Sequence, residues 1–133
     1  MPTLLQKTII DKEKNLYPTW LMRQAGRYMP EYMAMKKASK GFLDMALTPS
    51  KAKDITMQPI NAFDMDAAII FSDKLMLPYA LGQEVKFEKG LGPRLGKLDL
   101  DLIANINKDE FSRKLNPIYK SISKISSNIL SHF

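Results

Sequence analysis

The sequence predicts an α/β fold, in which strands and helices alternate along the chain. The continuous apolar run Ala67 to Phe71 lacks the alternation of a half-exposed strand and is typical of a strand covered on both faces. The segment before it, "PSKAKDITMQPINAF" (49–63), places apolar residues at helical spacing, and "TWLM" (19–22) is β-branched and apolar. Strand, helix and strand in this order favour a sheet with helices packed against it.

Two shorter helices are predicted in the first third of the chain. "TLLQKTII" (3–10) has the composition of a short helix. Pro30 suits the first helical position of "PEYMAMKKASK" (30–40), and Gly41 is a typical residue beyond a helix end. The short strand "TWLM" runs directly into an arginine-rich turn that leads to the second of these helices.

The helix over 49–63 has a clear start signal. Thr48 can cap its first turn, and Pro49 needs no hydrogen-bond partner for its nitrogen at the first helical position. Pro59 lies inside the helical pattern, where a proline cannot donate the usual backbone hydrogen bond. It therefore predicts a kink or an end near Gln58.

The last third of the chain predicts a strand, a loop and a long helix. "GQEVKFEKG" (82–90) alternates and predicts a hairpin-like strand, whereas glycine and proline in "GLGPRLGKLDLDL" (90–102) predict a loop. A helix is predicted from Lys108 to about Leu130, with an early interruption at Pro117. Its apolar face consists of Phe111, Leu115, Ile118, Ile122, Ile125 and Ile129.

The composition bounds the class of protein. With 133 residues, of which 45% are hydrophobic, the chain suits one ordinary globular domain. It has no cysteine, which excludes disulfides, a cysteine nucleophile and thiolate metal ligands, and one histidine, His132, so we expect no metal site. The N-terminus lacks a signal-peptide pattern and no apolar run is long enough to cross a membrane. We therefore expect a cytoplasmic protein without a membrane partner.

The net charge of +6 at pH 7 has two interpretations. It can belong to an ordinary solvated basic surface, or it can attract an acidic partner, either a nucleic acid or a small polyanion. The lysines are scattered along the chain and do not form a stripe with interleaved aromatic residues, which disfavours a nucleic-acid partner.

The segment "PTWLMRQAGRYMPEY" (18–32) contains the first candidate site. Arg23 and Arg27 lie four residues apart, and a guanidinium presents a planar fork of donors that binds carboxylate or phosphate bidentately. Backbone N–H groups between them could add to an anion site. The alternative is a pair of surface arginines with ion-pair partners such as Glu31.

Asp73 is the second candidate. It follows the predicted buried strand, and active sites of parallel α/β folds are built at the carboxyl ends of the strands. A carboxylate in that position can accept N–H donors or stabilise a developing positive charge. The alternative is that Asp73 caps the turn in "SDKLMLP" (72–78).

Five segments, in their order and spacing, resemble the uroporphyrinogen decarboxylase family. They are "PTWLMRQAGRYMPEY", "TMQPI", "DAAIIFSD", "LPYALG" and "GLGPRL". The resemblance is strong over residues 18–95 and weaker over 107–125, and residues 126–133 are unmatched. The whole chain, 1–133, is thus interpreted as a single partial domain of this family. The segment Met-Arg-Gln-Ala-Gly-Arg-Tyr (22–28) is the most specific part of the match.

The resemblance implies a fold and a reaction. The family fold is a (β/α)8 TIM-like barrel, usually a homodimer, with its active site at the carboxyl ends of the strands. The substrate is a tetrapyrrole with eight carboxylates. The enzyme removes carbon dioxide from the four acetate side chains of uroporphyrinogen III and gives coproporphyrinogen III, a step of porphyrin and heme biosynthesis. The reaction needs no cofactor and no metal.

The resemblance also implies roles for individual residues. Asp73 matches the carboxylate that gathers the pyrrole N–H groups, and it is implied to be catalytic together with Arg23. An arginine is nevertheless an awkward proton donor, because its pKa is very high. Ile69, like Phe71, matches an apolar residue near the floor of the cleft. The residues implied to bind substrate are Arg23, Gln24, Ala25, Arg27, Phe71 and Asp73.

The chain also departs from the family. Lys36 stands where an arginine is common, and Lys74 stands where an aliphatic residue is usual. A complete barrel needs about 250 residues, so this chain is expected to hold only the N-terminal part of one. We therefore predict that the isolated chain is unstable or dimerises and has little decarboxylase activity. The alternatives are a non-catalytic tetrapyrrole-binding fragment and a small basic nucleic-acid binder.

Overall fold

The structure, a computed structural model, describes residues 3–12, 14, 16–88 and 90–129. Helices dominate this part of the chain, which also contains one two-stranded antiparallel sheet. The elements in chain order are α1 (Leu4–Ile9), α2 (Pro30–Ala38), α3 (Phe42–Leu47), α4 (Pro49–Phe63), α5 (Met76–Ala80), β1 (Val85–Glu88), β2 (Gly92–Leu95), α6 (Leu100–Ala104) and α7 (Lys108–Ile129).

The hydrophobic core forms between α4 and α7. Met57 and Ile60 of α4, Met65 from the segment after it, and Ile125 of α7 make one buried cluster. Helix α7 also contacts α3 and α5, while α2 and α3 pack against α4. Helix α4 is therefore the central element, and the segment that follows it lies against the core.

The predicted helices near the N-terminus are confirmed. Thr3 caps α1 in a capping box, since its hydroxyl accepts the Gln6 N–H at 3.2 Å and its own N–H donates to Gln6 Oε1 at 2.8 Å. Helix α2 begins at Pro30 as predicted but ends at Ala38. Gly41, which the sequence placed at that end, instead precedes α3 with a φ of 141°.

Neither internal proline ends its helix, so the predicted end near Gln58 and the predicted interruption at Pro117 are wrong, while a kink at Pro59 stays a prediction. Helix α4 continues past Pro59 to Phe63, and α7 continues past Pro117 to Ile129. A proline removes one helical hydrogen bond, but Pro59 is fully buried, so its packing offsets that loss. Beyond Pro117, the Ser121 hydroxyl donates to the Pro117 carbonyl oxygen at 2.8 Å.

The two predicted parallel strands are not formed. Residues 19–22 and 65–73 lack regular strand pairing, and within the described residues a single backbone hydrogen bond joins them, from the Asp66 N–H to the Thr19 oxygen at 2.9 Å. A strand needs a ladder of such bonds. The apolar run 67–71 is only partly buried, so the expected covering of both faces is also wrong. The family's barrel is accordingly not seen here, because the described residues contain no parallel sheet.

The segment predicted as a loop, 90–102, is more ordered than expected. Strand β1 confirms the prediction over 82–90, but β2 and α6 both lie in the presumed loop. Gly90 and Gly92 have φ values of 85° and 80°, which glycine adopts readily, and they form the turn between the strands. Asp99 then caps α6, because its Oδ1 accepts the N–H groups of Asp101 and Leu102, each at 3.0 Å.

Helix α7 confirms the long helix predicted from Lys108, and the predicted end at Leu130 lies outside the described residues, as does His132. Its buried stripe differs from the predicted apolar face, since Ser121 is fully buried and Ile122 is 46% exposed. None of the helices in the described ranges has both the length and the apolar character needed to span a bilayer.

Candidate active site

The arginine turn, residues 22–29, connects the extended segment 19–21 with α2. The Met29 N–H donates to the Gly26 carbonyl oxygen at 3.0 Å and closes the end of the turn. The Tyr28 hydroxyl donates to the carbonyl oxygen of Gln24. These local bonds give the turn a defined shape immediately before α2.

Arg23 and Arg27 are both exposed on this turn. Among the residues that the structure describes, no carboxylate lies within 4.0 Å of either guanidinium, so the alternative of an ion pair with Glu31 is not found. Two exposed guanidinium groups without a carboxylate partner keep their donors available for an anion.

Gln24, between the two arginines, is buried, with 1% of its surface exposed. Its Oε1 accepts the Leu21 N–H at 3.0 Å, and its Nε2 donates to the Ala67 carbonyl oxygen at 2.8 Å. The side chain thus ties the arginine turn to the segment that follows α4. Ala25, the next residue, is partly buried in the turn.

Asp66 connects the extended segment 19–21, which leads into the arginine turn, to the same segment after α4. Its Oδ2 accepts the Thr19 N–H at 2.7 Å, and its own N–H donates to the Thr19 carbonyl oxygen at 2.9 Å. Both backbone polar groups of Thr19 are therefore satisfied by one residue. This pairing, together with the Gln24 bond, replaces the strand ladder that the sequence predicted.

Asp73 lies at the far end of the segment that begins at Asp66. Its Oδ1 accepts the Leu75 N–H at 2.8 Å, so the alternative that Asp73 caps the turn before α5 is confirmed. Within the described part of the chain, its Oδ2 has no hydrogen-bond donor or cation beside it. The cap holds the carboxylate by one oxygen and leaves the other available.

An aromatic row joins α2, the Phe71 segment and the hairpin. Phe71 contacts Tyr32 at a ring distance of 5.9 Å and Phe42 at 5.3 Å, and Phe42 stacks on Phe87 at 4.5 Å. Burial raises the pKa of Tyr32 above its usual value of 10.0, and the positive charge of Arg27 opposes this shift.

Thr56 is a residue of the site region whose role the sequence analysis missed. Its hydroxyl accepts the Phe71 N–H at 2.8 Å and donates to the Ala52 carbonyl oxygen at 2.7 Å, and the residue is fully buried. It holds the Phe71 segment to α4. The motif "TMQPI" contained it, but helical spacing had placed it only among the residues of the apolar face.

The structure brings some of the predicted site residues together and leaves others apart. Gln24 of the arginine turn bonds to residue 67, and Thr19 of the extended segment before the turn bonds to residue 66. No hydrogen bond or ion pair joins Arg23 or Arg27 to Asp73 in the described ranges. Nor do the described residues contain a cluster of His, Cys, Asp or Glu that could hold a metal ion.

Comparison with known proteins identifies the family. The family model described as "Uroporphyrinogen decarboxylase (URO-D)" matches residues 2–131. The chain belongs to the uroporphyrinogen decarboxylase family. The resemblance inferred from the five sequence segments is thereby confirmed.

Individual relatives carry the same name. The chain is 45% identical over 108 residues to "Uroporphyrinogen decarboxylase" of Sinorhizobium fredii, an alignment that covers 81% of this chain and 31% of the relative. For the protein of that name from a Chelativorans species the identity is 41% over 112 residues, with 84% and 33% covered. The Brucella anthropi protein is 44% identical over 105 residues, with 79% and 31% covered.

The chain thus spans about a third of the length of the curated relatives that it matches. The name that these relatives carry is that of a carboxy-lyase. Among the described residues, the arginine turn presents two exposed guanidinium groups with no carboxylate within 4.0 Å, and one oxygen of Asp73 accepts a backbone N–H.

Proposed function

We propose that this chain carries the arginine turn and the catalytic carboxylate of a uroporphyrinogen decarboxylase site. Arg23 and Arg27 bind carboxylates of a tetrapyrrole, and Asp73 faces its ring nitrogens. The observation that supports this best is the Gln24 bond to the Ala67 carbonyl oxygen at 2.8 Å, because it anchors the arginine turn to the segment that ends at Asp73. Ala25 and Phe71 border the same region.

The proposed reaction removes carbon dioxide from the four acetate side chains of uroporphyrinogen III and yields coproporphyrinogen III. Protonation of a pyrrole carbon places positive charge on the ring. The bond from the acetate methylene to its carboxylate then breaks, its electron pair neutralises the ring, and carbon dioxide leaves. A second proton, added to the methylene, makes a methyl group, and loss of the first proton from the ring carbon restores the neutral pyrrole.

Asp73 contributes to this step through electrostatics. A fixed anion beside the pyrrole N–H groups stabilises the ring cation and lowers the barrier to loss of carbon dioxide. The Leu75 N–H already holds one carboxylate oxygen, so the orientation of the other is restricted before substrate arrives. Arg23 acts beside it by holding the acetate carboxylate, a role that suits a group that stays protonated.

The binding part of the proposal can be tested with the emission of Trp20, the chain's only tryptophan. Trp20 is 46% exposed and lies three residues before Arg23. Titration with anaerobically prepared uroporphyrinogen III is expected to change its emission with saturation, and Arg23→Ala and Arg27→Ala are each expected to weaken binding at least about tenfold. The matched control is Arg94→Ala, because Arg94 is an exposed arginine of the hairpin.

Product analysis tests the catalytic part. Chromatography that separates porphyrins by carboxylate number shows whether the eight-carboxylate substrate becomes the four-carboxylate product. No saturable binding, or equal loss in the Arg94→Ala control, would contradict the proposal. Saturable binding of a nucleic acid in place of the tetrapyrrole would support the basic nucleic-acid binder instead.

A second candidate function is tetrapyrrole binding without decarboxylation. It is favoured by the absence of regular strand pairing between segments 19–22 and 65–73. Saturable binding, detected by Trp20 emission, without any four-carboxylate product would support this second function. Sedimentation of the same sample tests the homodimer that the family resemblance implies.

A further inference from the structure

Two buried or partly buried polar side chains, Gln24 and Asp66, join residues 19–29, which comprise the extended segment and the arginine turn, to the segment that ends at Asp73. The two side-chain hydrogen bonds, here called joints, involve neighbouring residues of the second segment. The Gln24 side chain bonds to Ala67, and the side chain of Asp66 bonds to Thr19. The described residues provide no other polar connection between these two segments beyond the single Asp66–Thr19 backbone bond.

The Gln24 side chain has an environment unlike that of a ligand-binding group. Only 1% of the residue is exposed, and both ends of its amide are engaged by backbone groups, the Leu21 N–H and the Ala67 carbonyl oxygen. A buried amide so engaged cannot reach a solvent-borne substrate without breaking bonds that are costly to leave unmade. Its contribution to the site must therefore pass through the backbone that it holds.

The Asp66 hydrogen bonds reinforce the Gln24 hydrogen bonds because they act on opposite ends of the stretch 19–21. Asp66 accepts from and donates to Thr19, and Gln24 holds Leu21, so Trp20 lies between two fixed backbone positions. In the second segment, Thr56 anchors Phe71 to α4, and Phe71 lies two residues before Asp73. The path from the arginine turn to Asp73 is thus held at both ends by side-chain hydrogen bonds.

We propose that Gln24 and Asp66 are positioning residues, which fix the arginine turn relative to the Asp73 segment and act on substrate only through Arg23, Arg27 and Asp73. The inference rests on the proposed function, since it concerns the geometry of that same site. It assigns to Gln24 a role other than direct substrate contact, and it adds Asp66 to the residues on which substrate binding depends.

The experiment compares variants of these residues with a matched amide elsewhere. Gln24→Ala and Asp66→Ala remove the joints, and Asp66→Asn keeps an oxygen that can accept the Thr19 N–H. Gln83→Ala is the control, because Gln83 also donates from Nε2 to a backbone oxygen, that of Gly96 at 2.9 Å, but in the hairpin region. Each variant is examined by amide hydrogen exchange and by titration of Trp20 emission with anaerobic uroporphyrinogen III.

Exchange at Leu21 is expected to accelerate at least about tenfold in Gln24→Ala, and exchange at Thr19 to do so in Asp66→Ala, because each amide loses its acceptor. The affinity for uroporphyrinogen III is expected to fall about tenfold in both variants, to recover in Asp66→Asn, and to stay unchanged in Gln83→Ala. Melting temperatures measured alongside show whether a lost affinity merely follows global unfolding.

The possible results separate the inference from the proposed function. Faster exchange with unchanged affinity would mean that the joints are only structural and would overturn the positioning role. Lost affinity without faster exchange would mean that Gln24 touches the ligand directly, which also overturns it. A parent chain that does not bind uroporphyrinogen III would overturn the proposed function and the positioning role with it, while exchange at Leu21 and Thr19 would still decide whether the joints exist in solution.

Discussion

The buried hydroxyl of Thr56 accepts the N–H of Phe71 at 2.8 Å and so fixes an irregular segment to the central helix α4. The same hydroxyl donates to the Ala52 carbonyl oxygen at 2.7 Å. A segment that lacks strand pairing has few other ways to satisfy its buried N–H groups, and such a group left without an acceptor is unfavourable. Thr56 therefore takes the place of a neighbouring strand at this point.

We predict that Thr56→Val lowers the free energy of unfolding by about 1–3 kcal/mol, because valine keeps the shape of threonine and removes the acceptor for the Phe71 N–H. Urea denaturation measures this change. Hydrogen exchange at the Phe71 amide should accelerate in the same variant.

Thr56→Ser is the control, since serine keeps the hydroxyl and loses only a methyl group. It should leave the exchange rate at Phe71 close to that of the parent, even if the smaller side chain lowers stability. Equal exchange rates at Phe71 in the valine variant and the parent would show that this bond does not hold the segment.

Asp73 combines a structural and a proposed catalytic task, and two substitutions separate them. Asn at this position keeps an oxygen for the Leu75 N–H but has no negative charge, whereas Ala removes both. We predict that Asp73→Asn changes the free energy of unfolding by less than about 0.5 kcal/mol and that Asp73→Ala lowers it by about 1 kcal/mol. Both variants should lose any turnover of uroporphyrinogen.

Thermal denaturation and product chromatography give the two readouts for Asp73. A measurable turnover in the parent chain that stays unchanged in Asp73→Asn would remove the carboxylate from the proposed mechanism. If instead the asparagine variant were as unstable as the alanine variant, the negative charge and not the cap would be what stabilises the turn.

Local signals explain why the helices could be predicted from the sequence. The Thr3 capping box, Pro30 and Pro49 act within one or two turns of the residues that they affect, and α1, α2 and α4 begin where these signals stand. The predicted helix end near Gln58 is wrong because buried packing in α4, which is a tertiary effect, outweighs one lost hydrogen bond.

The candidate site depends on contacts that no local pattern reveals. The Gln24–Ala67 bond joins residues 43 positions apart, and the Thr19–Asp66 bond joins residues 47 positions apart. Arg23, Arg27 and Asp73 were identified as candidates from residue type and family resemblance. The side chains that connect their segments became evident only from the fold, because a buried glutamine in a turn has no periodic signature.

Asp44 gives the chain a pH-dependent element at the junction of α3 and α4. The Lys51 ammonium, 2.6 Å from its Oδ2, is the main cause that lowers the pKa of Asp44 below 3.8, and the Lys40 N–H adds to the effect. A carboxyl group with a lowered pKa in the folded state stabilises that state above its unfolded pKa. This stabilisation is lost as the pH falls through the folded pKa.

We therefore predict that Asp44→Asn reduces stability at pH 7 and flattens the acid side of the stability profile below about pH 4. Urea denaturation between pH 7 and pH 2 measures both effects. Asp54→Asn is the control, because among the described residues Asp54 forms an ion pair only with its sequence neighbour Lys53 and is more exposed than Asp44. An acid profile equally steep in Asp44→Asn and the parent would assign acid sensitivity to other groups.

Gly26, in the middle of the arginine turn, is predicted to tolerate alanine. Its φ lies outside the left-handed region, and an added Cβ would meet only the Tyr28 ring, at 3.6 Å, which is ordinary contact. Gly82 is the opposite case, because its φ is 87° and an added Cβ would lie 3.1 Å from the Leu102 side chain. Both glycines are partly buried, so the pair differs mainly in backbone conformation.

We predict that Gly26→Ala changes the free energy of unfolding by about 0.5 kcal/mol or less, whereas Gly82→Ala lowers it by about 1–2 kcal/mol. Urea denaturation of the two variants measures the difference.

If the turn keeps its shape, Gly26→Ala should also bind uroporphyrinogen III like the parent, because the added methyl group points toward Tyr28 and leaves both guanidinium groups in place. Severe destabilisation by Gly26→Ala would mean that the turn adopts another backbone conformation in solution, and the anchoring of Arg23 and Arg27 would have to be revised with it.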